Sequence, residues 1–152
     1  MKAFSFKLHT LTQLRKANRE KALHAYGNAV HESEKLEKDL ARKKSALESL
    51  QNRIKQKRSG YFFGQEEESY QRNIASVKND ILSVHKSLRN SQEIREAKRK
   101  LFLKADAEFK SLEKLRDKQK VEHDQSEQKK EESQIDDIIS ARFSYNLKTS
   151  IS

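Results

Sequence analysis

Five histidines are the first residues to weigh for chemistry: His9, His24, His31, His85 and His123. His24 and His31 stand seven residues apart and would share a helical face, but a zinc site needs further ligands converging on the same point. No carboxylate or third histidine falls at such a spacing, so these read as surface histidines. The run Gly60-Tyr61-Phe62-Phe63-Gly64 is bracketed by glycines but lacks the Lys and Ser/Thr of a phosphate-cradling loop. It reads as a turn. With no Cys in the chain, thiolate catalysis and disulfides are both excluded. No paired acids sit where a cleft could form. The expectation is a protein that is not an enzyme, with no catalytic residues, no cofactor and no metal.

The elements that carry these residues follow from composition. The 152 residues include no Pro, no Trp and three Gly, and 37% are charged. Such a chain suits long helices, because Pro costs ~3 kcal/mol and Gly about 1 kcal/mol in a helix interior. Only 34% of residues are hydrophobic, too few for an ordinary globular core but enough for a two-helix seam. No segment approaches the ~20 apolar residues of a membrane span, and residues 1–14 lack the apolar stretch of a secretory signal. A soluble, cytoplasmic chain is expected.

The second half carries a ladder at alternating four- and three-residue steps: Tyr70, Ile74, Val77, Ile81, Val84, Leu88, Ser91, Arg95, Lys98, Phe102, Ala105, Phe109 and Leu112. A 3.5-residue period keeps one helix facing another along a coiled-coil seam. The first half offers the matching series Ile54, Leu50, Leu47, Lys43, Leu40, Leu36, Ser33, Ala29, Tyr26 and Ala22. Folded about residue 62, each rung meets another at a constant index sum of 124, so that Ile54 faces Tyr70, Leu40 faces Val84 and Leu36 faces Leu88. The fold class is therefore all-α: two long helices in an antiparallel coiled-coil hairpin, the second overhanging the first. One coiled-coil domain spans 1–152, with helix one at 8–58, a turn at 59–65, helix two at 66–142 and a flexible tail at 143–152.

Charge supports these boundaries. Lys57 and Arg58 suit a helix C-terminus, and Glu66, Glu67 and Glu68 suit the start of the next helix. The net charge is +10, with a basic shaft and an acidic collar over 121–137. Opposite-number pairing sets Leu8 against Arg116, so residues from 119 onward are expected to lack a partner within the chain. Ser91, Arg95 and Lys98 fall at the level of Ser33, Ala29 and Tyr26, where loose packing or a bend is expected. Tyr61, Phe62 and Phe63 either cap the seam or form a docking tip. The basic shaft also allows phosphate neutralisation, but acids interrupt it and no stacking platform accompanies it. A scaffolding or nucleic-acid-binding coiled coil is the alternative reading, with nucleic acid the less favoured.

Three patches carry a family resemblance. Phe4-Ser5-Phe6-Lys7-Leu8, with Leu11, Leu14 and Arg15, resembles the F-x-F-x-L-x-x-L-x-x-L-R opening of FliJ proteins. Leu112-Glu113-Lys114-Leu115-Arg116-Asp117-Lys118-Gln119 resembles that family's second-helix patch. Ile135-Asp136-Asp137-Ile138 through Arg142-Phe143 resembles its acidic-apolar C-terminal signature. The resemblance implies a non-enzymatic stalk of the flagellar type III export apparatus, at the inner face of the membrane. It would insert into the hexameric export ATPase FliI, link it to the export gate FlhA and escort export chaperones; stalks of virulence secretion systems share this layout. For ATPase contact it points to Arg15, Lys16, Arg19, Arg116, Lys118, Ile135, Ile138 and Arg142. For gate contact it points to Leu47, Leu50, Tyr61, Phe62, Phe63, Asn73, Val77 and Asp80.

Overall fold

The computed structural model describes residues 2–60 and 64–151. It is an all-α hairpin of two helices, α1 over His9–Arg58 and α2 over Gly64–Ile151. α2 thus continues as helix beyond Arg142, the end expected from sequence. The tip aromatics Tyr61, Phe62 and Phe63 lie outside the described residues. The chain divides into two compact units, Arg19–Lys104 and Met1–Asn18 with Ala105–Ser152.

Within the unit 19–104 the seam follows the ladder. From Ala22 to Ile54 on α1 and from Tyr70 to Phe102 on α2, no rung is classed as exposed. Ile54, Leu40, Ile74 and Leu88 are buried outright, and full burial of such a side chain contributes roughly 1.5–3 kcal/mol. Antiparallel pairing is fixed where α1 ends and α2 begins. Arg58 donates to the Glu67 carboxylate at 2.6 Å, and the Lys57 ammonium sits 4.8 Å from the Tyr70 ring centre. The dipole-complementing charges at these helix ends therefore also tie α1 to α2.

At the level expected to be loose, the two serines of the seam are buried. Ser33 is fully buried and Ser91 is 8% exposed, while a groove of about 410 Å³ lined by Ala29, Leu36 and Ile94 opens beside Ser91. Tyr26, expected to face Lys98, instead stacks nearly parallel on Phe102 with ring centres 6.5 Å apart. Arg19 adds a cation over the same Phe102 ring at 5.9 Å. Burial has a cost here: neither the Ser33 nor the Ser91 hydroxyl has a hydrogen-bond partner, and an unmet buried polar group costs about 1–3 kcal/mol.

The other unit corrects the expected overhang. Before α1, the chain runs outside regular structure through residues 2–6, and a turn at 7–8 is closed by the His9 amide donating to the Phe6 carbonyl at 3.1 Å. This segment lies along α2. Phe6 is buried, Phe4 packs against His123 with centroids 5.6 Å apart, and a His123 ring nitrogen lies 2.9 Å from the Lys2 carbonyl. Because a carbonyl only accepts, that nitrogen carries the proton. Glu127 is 8% exposed and accepts a hydrogen bond from the Lys2 backbone amide. Residues 119–127 therefore do have an intrachain partner, a short aromatic strap rather than a helix. The side chains described beyond Glu127 are all exposed, so the uncovered stretch begins about nine residues later than expected.

Candidate functional site

In the unit 19–104, one side of the seam opens into a groove of about 420 Å³ lined by Ala46, Ser49, Leu50, Arg53, Asn73, Ser76 and Val77. It exists because small side chains from both helices flank the seam on the same side. Three residues expected at the gate contact, Leu50, Asn73 and Val77, are brought together in this groove. Leu47 is half-buried within the seam rather than among the lining residues, and Asp80 is exposed one heptad beyond Asn73 on the same face. The sequence reading missed Ala46, Ser49, Arg53 and Ser76. Their signal was available: Ala46 and Arg53, like Asn73 and Asp80, repeat at seven residues immediately beside the seam.

The residues expected to meet the ATPase divide by environment. In the unit 1–18 with 105–152, Arg15 is tied to Glu108 at 2.9 Å. Lys16, Arg116 and Lys118 are exposed and have no ion pair among the described residues. Arg19 belongs to the other unit and is engaged by Phe102. Ile135 and Ile138 are each 56% exposed, and Ile139, Phe143 and Tyr145 are exposed with them. Arg142 lies in the same uncovered run of α2. An apolar stripe of this size on a single uncovered helix marks an interaction surface.

His9, His24, His31 and His85 are exposed as expected, and His123 is the exception because Phe4 and Lys2 cover it. Burial opposes ionisation of Glu127, but the Lys2 amide, followed by the charges of Lys130 and His123, outweighs it and holds the carboxyl below the usual range. Lys130 reaches the same carboxylate at 3.7 Å. Sequence gave no signal for this pairing, because an isolated Glu at position 127 looks like any solvated helix residue.

Compared with protein families, the chain matches the one described as Flagellar FliJ protein over residues 4–148. It belongs to the FliJ family. The matched span takes in the N-terminal strap, both helices and the exposed apolar stripe of α2. FliJ-family membership makes this a non-enzymatic component related to flagellar protein export. No curated protein and no solved structure matches the chain. No helix among the described residues is long and apolar enough to cross a membrane.

Proposed function

We propose that this FliJ-family chain is the central stalk of a flagellar export ATPase. In this reading, the uncovered part of α2 enters a FliI-like hexamer, a FlhA-like export gate docks at the groove containing Leu50, Asn73 and Val77, and export chaperones bind in turn. The protein works in the cytoplasm, held peripherally at the inner face of the cell membrane. The observation that carries the reading is the run of α2 after Glu127. A helix with Ile135, Ile138, Ile139 and Phe143 all more than half exposed lacks a partner to bury them, and a ring lumen supplies one. Exposed Lys16, Arg116 and Lys118 add cationic contacts suited to acidic loops.

The test is to mix the purified chain with its cognate export ATPase and follow ring assembly and ATP hydrolysis. Both should rise, and Ile138→Asp should abolish the rise without moving the thermal midpoint. If neither assembly nor hydrolysis responds to the unmodified chain, the stalk reading fails. For the gate, Asp80→Lys should weaken binding of the gate's cytoplasmic domain while leaving helicity intact. Because Asp80 is exposed, that variant separates lost contact from lost folding, which Leu50→Ala cannot do.

A further inference from the structure

Both grooves of the unit 19–104 open on the flank of α2 that carries Asn73, Ser87 and Ile94. The outer ridge of α2 between Lys78 and Arg89 faces elsewhere and carries a different pattern. Leu82, next to the seam rung Ile81, is 66% exposed, more than any other large apolar side chain described in this unit. It shares a shallow hollow of about 220 Å³ with His85, Lys86 and Arg89, three, four and seven residues further on. Lys78 stands one turn before it. Spacings of three and four residues, and their sum, keep side chains on one helical face. Lys78, Lys86 and Arg89 are exposed and have no ion pair among the described residues. Between Tyr70 and Gln92 the only acid of α2 is Asp80, which lies on the flank of Asn73. The α1 positions immediately beside the seam at this level, Glu37 and Lys44, offset one another.

An exposed leucine by itself marks nothing, but a leucine ringed by unpaired cations matches one kind of surface. Anionic headgroups meet the cations while the apolar side chain enters the boundary beneath them. Lysine stems lie along that boundary with their ammonium groups outward. Nucleic-acid phosphates would satisfy the cations but give Leu82 no partner, and no Phe, Tyr or Trp stands between Gln71 and Gln92 for bases to stack on. A partner helix seats best in a groove between two helices, whereas this hollow is walled by α2 alone and the surface is convex. A fluid bilayer conforms to a convex ridge. We infer that this ridge of α2 docks on an anionic lipid surface, with Leu82 inserted and Lys78, Lys86 and Arg89 on the headgroups. The inference deepens the peripheral membrane placement proposed above and supplies its chemistry; it uses neither the exposed stripe after Glu127 nor the groove at Leu50.

The experiment uses the full chain and phosphatidylcholine vesicles, with and without phosphatidylglycerol. Flotation should recover the chain with the anionic vesicles only, and added salt should release it. Lys78→Gln, Lys86→Gln and Arg89→Gln should each weaken binding about fivefold, the ~1 kcal/mol that one cation contributes near an anionic leaflet. These positions are exposed, so helicity is retained. The chain has no Trp, so Leu82→Trp gives a single reporter, and its emission should shift to the blue on anionic vesicles. Ile94→Trp, exposed on the groove flank, should not shift. Ring assembly with the export ATPase should be unchanged in the Gln variants, so failure here and failure of the stalk reading are distinguishable. Equal binding to neutral vesicles, undiminished binding of the Gln variants, or equal blue shifts from Leu82→Trp and Ile94→Trp would each overturn the inference. So would a ridge that takes duplex DNA or polyglutamate while Leu82→Trp stays unshifted on vesicles.

Discussion

The seam of the unit 19–104 and the strap of the unit 1–18 with 105–152 solve the same problem by different means. In the seam, burial is spread over many rungs, each contributing through a heptad neighbour. In the strap, two aromatic rings, one carboxylate and one imidazole do the covering, and the hydrogen bonds come from backbone groups of Lys2. A distributed contact tolerates weak rungs such as Lys43 and Arg95. A concentrated one depends on each of its parts.

The sharpest way to break this comparison is at a buried apolar rung. Leu40→Ala should cost about 2–5 kcal/mol, as other core truncations of this kind do, and thermal unfolding by circular dichroism should show a single, lower midpoint. Phe6→Ala should remove a comparable area but act locally. The expected result is loss of amide protection in residues 2–8 and 119–127, with a shift of the global midpoint smaller than that of Leu40→Ala. If Phe6→Ala lowers the midpoint as much as Leu40→Ala, the strap is part of the main cooperative unit and the contrast fails.

Acid should act on the strap before the seam. Glu127 has its folded pKa depressed, so its contribution is fully present above the unfolded value of about 4.3 and is lost as pH falls through the lower folded value. Lowering the pH from 5 toward 2 should therefore release the Phe4 and Phe6 ring signals, and Glu127→Gln should remove that pH dependence while His123 still holds the Lys2 carbonyl. The smallest effect is expected at the helix ends. Arg58→Ala breaks a partly exposed ion pair with Glu67, worth no more than about 1 kcal/mol, and high salt should erase the difference.

The same contrast explains what could be read from the chain. The seam was legible because heptad spacing is redundant: Tyr70, Ile74 and Val77 predict Ile81, and any single departure is outvoted. The groove at Leu50, Asn73 and Val77 was half legible: those three were expected at a partner contact, whereas its small walls at Ala46, Ser49 and Ser76 carry no apolar signal. The expected overhang went astray for a physical reason. The strap was invisible because Phe4 and Phe6 have no helical period with His123 or Glu127; they meet only once the hairpin has brought distant segments side by side.

That distance sets an order of events during synthesis. The ribosome makes Glu127 well over a hundred residues after Lys2, at about 5–20 residues per second. For roughly 6–25 s on that scale, Phe4 and Phe6 have no mate to cover them, although the rungs of α1 are already available to coil. The nascent chain therefore carries a sticky aromatic segment until residues 119–127 are made.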